Sequence, residues 1–403
     1  MIERDAEEWK ARLGLKELPL QVLRQGGENK LKALGVAGFI NIGGVDIEIK
    51  PKFLDEIENE GWRRLLWNML SLTDNYSNNI YGKFGIEEDD EEHNFLDVMG
   101  WTFLNSIRES ISEGLPRGYV EKEGYFSEIR GSIDYSRIKS ILERPFVFPC
   151  RYDEYNEDIP LNRLLKWAGI FLSERVKSFR LSNMLAESTQ LIGANNEPPG
   201  PIEAENLILP AQFNHAEVAL NVAKILLKQG NYQHKSSELK SFGFLWKSHQ
   251  VYEDFLFEIL RIAFYDLSPN FRLQKQCRLS VGLPHNNTTT HNLIGKPDFI
   301  VKENDTTVYI LDAKYKTGTN PKASDINQII VACKMDNCLH GILLFPSNHT
   351  NGTYHKTWKI NSIGYPKYVS SLYVNLERMS QSNGEYTLAQ EIINEINEIK
   401  LYI

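Results

Sequence analysis

The sequence predicts a multidomain α+β or α/β protein built from three parts. Three observations support this fold class: alternating apolar residues near the N-terminus, helical periodicity in the middle, and strands alternating with helices towards the C-terminus. We expect a small β-rich module in residues 1–55, a mainly helical region in residues 56–240, and a domain with a mixed β-sheet flanked by helices in residues 241–403. A chain of 403 residues accommodates two or three domains at about 100–200 residues each.

The N-terminal module is predicted from residues 36–53, VAGFINIGGVDIEIKPKF. Two apolar runs flank Gly43 and Gly44, and this pattern is typical of two strands joined by a two-residue turn. Pro51 ends the second run, because proline has no backbone N–H to donate to a neighbouring strand. The module is therefore expected to be mostly β.

The middle region is predicted to be helical at residues 60–76, 95–113, 160–172 and 214–229. The acidic run EEDDEEH, residues 87–93, separates the first two helices. Because like charges repel one another, we expect a solvated loop there and not a metal cluster. Residues 195–206, rich in Pro, Gly and Asn, and the polar run 229–241 are candidate linkers.

Within this region, residues 118–160 are predicted to form a β-rich, finger-like segment that leads into a helix. Pro160 suits the first turn of that helix, and Asp158 is a candidate N-cap. The charged residues around the helix start have two interpretations: they compensate the helix dipole, or they contact a partner protein. The acidic residues concerned are Glu154, Glu157 and Asp158.

The composition limits the function classes. The net charge is −8, so the chain lacks the overall basic character of a protein that holds DNA by itself; a local groove or a partner has to supply that grip. No apolar run approaches the roughly 20 residues needed to cross a bilayer, and the N-terminus has no signal core, so we expect a cytoplasmic protein without membrane contact. No phosphate-binding loop of the Walker type is present.

The four cysteines are too few and too scattered for a disulfide framework. Cys333, Cys338 and His340 lie near one another, but their spacing matches no common zinc pattern. We therefore interpret the cysteines as buried thiols.

The most informative stretch is KPDFIVKENDTTVYILDAKYK, residues 296–316. Residues 299–301 and 308–311 are predicted strands joined by a polar turn. Pairing them as a hairpin places Asp298, at the start of the first strand, near Asp312 at the end of the second. Since residues i and i+2 of a strand share a face, Lys314 points the same way as Asp312.

Two adjacent carboxylates are costly unless they share a cation, and oxygen ligands of this kind select Mg²⁺ or Mn²⁺. The Ala313 carbonyl is a further candidate ligand. The amphipathic helix predicted at residues 251–264 offers one more carboxylate, from either Glu253 or Glu258, and the sequence leaves this choice open. A helix at residues 325–335 carries Gln328 and precedes a buried strand at residues 340–346. A lysine beside the metal suits the activation of water for phosphodiester hydrolysis.

This constellation resembles the PD-(D/E)XK nuclease superfamily, with Pro297-Asp298 and Asp312-Ala313-Lys314 as its two halves. It resembles one family in particular, McrC, the endonuclease subunit of McrBC-type modification-dependent restriction systems. The segments that carry the likeness are Phe39 to Phe53, Arg130 to Asp134, Glu154 to Asp158 with Asn162-Arg163, Tyr252 to Phe255, Asp312 to Tyr315, Gln328, and Gly341 to Pro346.

The resemblance implies a prokaryotic, Mg²⁺-dependent endonuclease that cuts double-stranded DNA containing modified cytosine of the 5-methylcytosine type. It also implies an McrB-like AAA+ hexamer as partner, which binds the GTP and whose GTPase this chain stimulates. The partner contacts that it implies are Glu154, Asp158, Asn162 and Arg163, with Asn162 and Arg163 assisting hydrolysis. The alternative is a non-catalytic regulatory subunit with a vestigial nuclease fold. A stand-alone repair nuclease is a third interpretation, disfavoured by the acidic charge and the large N-terminal region.

Overall fold

The computed structural model describes residues 7, 9–11, 14–25, 28–42, 45–55, 61–73, 94–137, 139, 146–229, 242–275, 278–282, 293–316, 320–348, 352–361 and 364–400. These residues form two compact units. The first unit comprises Met1–Gly82 and Ser237–Ile403, and the second comprises Lys83–Ser236. The acidic run at 87–93, the turn glycines Gly43 and Gly44, and Cys277 lie outside the described residues.

The strands are β1 Leu20–Gln25, β2 Glu28–Ala33, β3 Val36–Ile42, β4 Val45–Ile49, β5 Gly118–Phe126, β6 Ser132–Ile133, β7 Phe148–Asn156, β8 Phe242–Lys247, β9 Phe271–Lys275, β10 Leu279–Gly282, β11 Leu293–Gly295, β12 Phe299–Glu303, β13 Thr306–Ala313, β14 His340–Ser347, β15 Tyr354–Lys359 and β16 Tyr368–Asn375. The α-helices are α1 Trp62–Thr73, α2 Phe95–Glu113, α3 Pro160–Ser173, α4 Phe179–Gln190, α5 Pro201–Glu205, α6 Glu217–Gln229, α7 Ser248–Leu267, α8 Ala323–Met335 and α9 Gly384–Lys400.

The predicted N-terminal hairpin is present, since β3 and β4 pair antiparallel with Ile42 opposite Val45. The other edge of β3 pairs with β8, from the C-terminal part of the chain. Gly38 permits this close pairing: its φ is +130°, and a Cβ there would lie 1.9 Å from the carbonyl oxygen of Phe244. The structure therefore does not separate residues 1–55 from residues 241–403 as the predicted domains did; backbone pairing joins them in one unit. The second unit, Lys83–Ser236, compares with the predicted middle region 56–240, and α1 belongs to the first unit.

A six-stranded mixed sheet forms the centre of the first unit, in the order β15-β16-β14-β13-β12-β9. The β13–β14 and β14–β16 pairs are parallel and the other pairs are antiparallel. Helix α8 packs on β13 and β14, α7 on β9 and β13, and α9 on β15 and β16. The core between the sheet and α8 includes Ile300, Ile310, Ile329, Cys333, Leu343 and Phe345. This is the predicted mixed sheet flanked by helices.

Two local features align the strands and helix that carry the candidate site. The turn between β12 and β13 consists of Asn304 and Asp305, with φ of 49° and 66°, in the left-handed region that Asn and Asp tolerate. Gly341 on β14 lets α8 approach the sheet, because a Cβ there would lie 2.6 Å from Ile329 Cγ1 and 3.0 Å from Cys333 Sγ. The hairpin therefore has a defined register, and α8 lies directly against β14.

The second unit combines packed helices with a long hairpin. Helices α2, α3, α4 and α6 pack against one another, as predicted for the middle region. Strands β5 and β7 pair over nine residues, from Gly118 opposite Asn156 to Phe126 opposite Phe148, and β6 pairs with the start of β7. Residues 195–206 lie inside this unit and include α5, so this candidate linker does not separate the two units. Among the described helices, none is long and apolar enough to span a membrane.

The N-terminus of α3 differs from the prediction in one respect. Pro160 occupies the first turn as expected, but the N-cap is Ile159, without a side-chain cap. The Asp158 carboxylate binds the Arg163 guanidinium instead, at 2.7 and 2.9 Å. Two charge-assisted hydrogen bonds to a guanidinium stabilise a carboxylate more than one hydrogen bond from a backbone N–H at the helix N-terminus. Asp158 therefore pairs with Arg163 and does not cap the helix.

Candidate active site

The structure places Asp298 and Asp312 side by side at the open end of the β12–β13 hairpin. Asp298 directly precedes β12, and Asp312 lies near the end of β13, where Leu311 pairs with Phe299. Asp298 Oδ2 accepts a hydrogen bond of 2.7 Å from the backbone nitrogen of Ala313. This bond holds the Asp298 carboxylate at the end of β13, beside Asp312.

Both carboxylates lie in a poorly solvated environment. Burial, followed by the negative charges of Asp312 and Glu253, raises the pKa of Asp298 to about 7. The side chain of Asp312 is 3% exposed; burial raises its pKa also, and the charge of Lys314 opposes that rise. Two buried acids that disfavour their charged forms are expected to share a proton or a cation.

Lys314 supplies the positive charge beside this pair. Its ammonium group forms an ion pair with Asp312 Oδ2, lies 3.7 Å from Asp325 Oδ1, and donates a hydrogen bond of 3.2 Å to Gln328 Oε1. The Gln328 amide nitrogen in turn donates to Asp312 Oδ1 at 3.3 Å. Gln328 therefore connects α8 to both the lysine and the aspartate.

The structure distinguishes the two candidate glutamates of α7. Glu253 is one of the charges that raise the pKa of Asp298, and its own pKa is raised by burial, with Asp312 as a further cause. Glu258 forms an ion pair with Arg261 at 2.8 Å. Tyr252, next to Glu253, is fully buried and stacks on Phe53 with ring centroids 5.4 Å apart, which fixes the rotation of α7. Glu253 is the glutamate that the fold places with the aspartates.

Two further acidic residues of this region were missed from the sequence. Asp325 lies in the first turn of α8, three residues before Gln328 and on the same side of the helix, so the i, i+3 spacing was an available signal. Asp254 forms an ion pair with Lys275 on β9, and Lys275 is the main charge that opposes the raised pKa of Glu253. That contact depends on the packing of α7 on β9, which no local pattern reveals.

The donor set fits a divalent cation. Asp298, Asp312 and Glu253 are carboxylates whose burial disfavours a negative charge, and a cation between them offsets that penalty. Oxygen donors of this type suit Mg²⁺ or Mn²⁺. Ala313 gives its backbone nitrogen to Asp298, and its carbonyl remains the predicted fourth ligand.

The predicted partner-contact residues lie at the base of the β5–β7 hairpin. Asn162 is fully buried, and its amide donates to the carbonyl oxygens of Pro116 at 2.8 Å and Glu157 at 2.9 Å. The Asp158–Arg163 ion pair is extended by Asn195, whose backbone and side-chain nitrogens donate to Asp158. Asn162 therefore makes internal contacts in this chain, and the partner contact expected of it stays a prediction.

Glu154 differs from these residues because its side chain is 46% exposed and forms an ion pair with Lys122 across the hairpin.

The described cysteines Cys150, Cys333 and Cys338 are buried and free, as predicted. The thiol of Cys338 donates to the carbonyl oxygens of Val308 and His340.

Comparison with protein families matches residues 31–346 to the McrBC 5-methylcytosine restriction system component. The chain belongs to this family. The family resemblance drawn from the sequence is therefore confirmed. A comparison with curated proteins found no match.

Solved structures also resemble the chain, and two of them are described here. One is described as a refined half-complex from a tetradecameric assembly of Thermococcus gammatolerans McrB AAA+ hexamers with bound McrC; it matches with a TM-score of 0.64 and 18% identity, covering 93% of this chain and 85% of that chain. The other is the cryo-EM structure of the Thermococcus gammatolerans McrBC complex, with a TM-score of 0.48, 17% identity, and coverage of 65% and 80%. The first match shows that the two chains share a fold.

Proposed function

We propose that this chain is the endonuclease subunit of a modification-dependent restriction complex, with a PD-(D/E)XK nuclease domain in its first unit. It cuts DNA containing a cytosine modified in the manner of 5-methylcytosine, by metal-dependent phosphodiester hydrolysis. The observation that carries the proposal is the buried Asp298–Asp312 pair, with Lys314 bound to Asp312 and Gln328 bridging both.

Each of these side chains has a chemical role in hydrolysis. Asp298, Asp312 and Glu253 would hold Mg²⁺ or Mn²⁺, which when bound supplies a water of lowered pKa and offsets the charge of the scissile phosphate. Lys314 orients the attacking water and stabilises the negative charge that develops on the phosphate oxygens. The water oxygen bonds to phosphorus while the bond from phosphorus to the leaving oxygen breaks. Gln328 keeps the Lys314 ammonium and Asp312 in place.

The partner of this chain is an McrB-like AAA+ hexamer that binds GTP. Family membership and the absence of a Walker-type loop from this sequence support this assignment, and the solved assembly of similar fold contains McrB hexamers with bound McrC. The β5–β7 hairpin is the segment proposed to contact the partner. Alternate residues of β5 are exposed and none is buried, and the rings of Tyr119 and Tyr155, 78% and 58% exposed, lie 5.2 Å apart.

The decisive experiment measures cleavage of cytosine-methylated and unmethylated plasmid with Mg²⁺ and GTP. The chain is assayed alone, with its AAA+ partner, and as Lys314→Ala with the partner. A matched control is Lys302→Ala, which removes a half-buried lysine from the far end of the same hairpin. We expect cutting that needs methylation and the partner, that survives Lys302→Ala, and that disappears in Lys314→Ala while GTPase stimulation is kept.

The same assay tests the regulatory-subunit alternative. If GTPase is stimulated but no cutting occurs, or if cutting persists in Lys314→Ala, the carboxylate site is not the source of nuclease activity. Cutting by the chain alone, without a partner, favours the stand-alone nuclease instead.

A further inference from the structure

A cleft of about 360 Å³ adjoins the carboxylate site. It lies between the residues that precede β12 and the exposed side of α8. Asp312 and Gln328, which belong to the carboxylate site, are among its lining residues, and so is Lys296, which precedes β12. The volume is at the lower end of the roughly 300–1,000 Å³ of small-molecule sites, so it suits one compact group and not a peptide or a duplex.

The lining of this cleft is mainly apolar, and a few polar residues stand beside it. Val331 and Ala332 form the apolar side, on which the flat face of a base or a sugar can lie. Asn327 provides an amide donor and acceptor, and Ser324 provides a hydroxyl in the first turn of α8. The Lys296 ammonium favours an anion nearby, while the Asp325 carboxylate in the first turn of α8 offsets the positive end of the helix dipole.

These features together indicate a nucleotide. A DNA strand whose phosphate reaches Asp312 continues directly into the cleft, because Asp312 belongs to both. Lysine and a hydroxyl contact phosphates, and an asparagine amide contacts a base edge. The chain carries a net charge of −8, so such a local basic contact is what binding of the cut strand requires.

We propose that this cleft binds the nucleotide next to the scissile phosphate and thereby positions that phosphate at the carboxylates. The base and sugar lie on Val331 and Ala332, Asn327 contacts the base edge, and Lys296 contacts the backbone phosphate. The inference rests on the proposed nuclease function, and it adds the residues that position the DNA strand.

Photocrosslinking tests the cleft without relying on cutting. Val331→Tyr, in the Lys314→Ala background, is assembled with the partner and a methylated duplex that carries 5-iododeoxyuridine, and crosslinked peptides are mapped by mass spectrometry. Met335→Tyr is the control, because Met335 lies one turn along α8, is 40% exposed against 42% for Val331, and does not line the cleft. We expect at least tenfold more crosslink with Val331→Tyr.

A cleavage assay completes the test. Val331→Trp, which fills the cleft, is expected to lower the cutting rate at least tenfold with GTPase stimulation unchanged, while Met335→Trp cuts normally. If crosslinking at positions 331 and 335 is equal or absent, the cleft does not bind the nucleotide. Normal cutting by Val331→Trp would also contradict the proposal. If crosslinking is selective for position 331 but the wild-type chain never cuts DNA, the cleft binds a nucleotide and the proposed nuclease function is wrong. A failure of the cleft and a failure of the nuclease function are therefore distinguishable.

Discussion

The carboxylate of Asp298 accepts its hydrogen bond from the backbone nitrogen of Ala313, at 2.7 Å. This single bond ties the residue before β12 to the last residue of β13. It is also the one backbone contact that opposes the rise in the Asp298 pKa, while burial, Asp312 and Glu253 all increase it. The hairpin therefore holds the Asp298 carboxylate in position but does not neutralise its negative charge. A proton or a cation has to neutralise it.

Asp298→Asn is expected to abolish cutting and to stabilise the metal-free protein above pH 7. The folded pKa of Asp298 is about 7 against an ordinary value of 3.8, so the folded state keeps the proton over a range in which the unfolded chain has lost it. The contribution of Asp298 to the free energy of unfolding therefore falls as pH rises from about 4 to 7, by on the order of 4 kcal/mol, and the variant removes this fall. Urea unfolding at pH 5 and pH 8 measures it.

The control for this experiment is Asp305→Asn, which changes an aspartate that is 86% exposed at the turn of the same hairpin. Mg²⁺ at pH 8 should raise the melting temperature of wild type and of this control but not of Asp298→Asn. A Mg²⁺-induced shift of equal size in all three proteins would contradict the assignment of Asp298 as a ligand.

Glu253→Gln and Glu258→Gln should differ in their effect on cutting. Glu253 acts electrostatically on Asp298, whereas Glu258 pairs with Arg261 on the surface of α7. We expect Glu253→Gln to lower the cleavage rate about 100-fold and to raise the Mg²⁺ concentration needed, as for loss of one electrostatic group in an active site. Glu258→Gln should cut within about twofold of wild type. Titration of the cleavage rate with Mg²⁺ tests this, and equal losses in the two variants argue against it.

Gly341→Ala should push α8 away from the sheet. The new Cβ would lie 2.6 Å from Ile329 Cγ1, and overpacking of this kind costs about 1–3 kcal/mol. Because Gln328 neighbours Ile329, cutting should fall together with stability. Ile329→Ala removes the obstructing atoms, so the double variant should be more stable than the sum of the two single changes. A double-mutant cycle on the free energy of unfolding measures this coupling, and strict additivity would show that the contact is relieved in another way.

Local sequence patterns were sufficient to predict that the two aspartates lie close together, but not to predict which other residues surround them. The convergence of Asp298, Asp312 and Lys314 follows from a two-residue turn and the period of a strand, both of which are properties of neighbouring residues. The choice between Glu253 and Glu258 depends on the rotation of α7, which the Tyr252–Phe53 stack fixes across about 200 residues of sequence. The pairing of β3 with β8 is equally remote, so the N-terminal module was predicted as a separate domain.

Asn162→Ala should destabilise the second unit and weaken GTPase stimulation through the hairpin. The buried Asn162 amide donates to the carbonyl oxygens of Pro116 and Glu157, the residues at the two ends of the hairpin. Leaving these acceptors unpaired costs about 1–3 kcal/mol. The exposed Tyr155 offers the comparison: Tyr155→Ala should lower stimulation with little change in melting temperature. If Asn162→Ala abolishes stimulation at unchanged stability, the residue has a direct role in the complex that the free chain does not reveal.

The stability of the first unit should also depend on pH through His340, the first residue of β14. This side chain is fully buried, its Nε2 lies 2.7 Å from Ser370 Oγ, and its ring stacks on Tyr368. Burial, with a smaller effect of His355, lowers the pKa of His340 from 6.5 to about 4.

Between pH 6.5 and 4 the unfolded chain binds a proton at this position that the folded chain does not. The contribution of His340 is therefore complete above pH 6.5 and is lost as pH falls towards 4, by on the order of 3 kcal/mol. His340→Phe keeps the stacked ring, and Ser370 keeps Thr357 Oγ1 as a partner at 2.6 Å, so the variant should fold. Urea unfolding at pH 4.5, 5.5 and 7.5 should show that the difference in the free energy of unfolding between His340→Phe and wild type shifts in favour of the variant as pH falls. A difference that does not change with pH would exclude His340 as a group that contributes to the pH dependence.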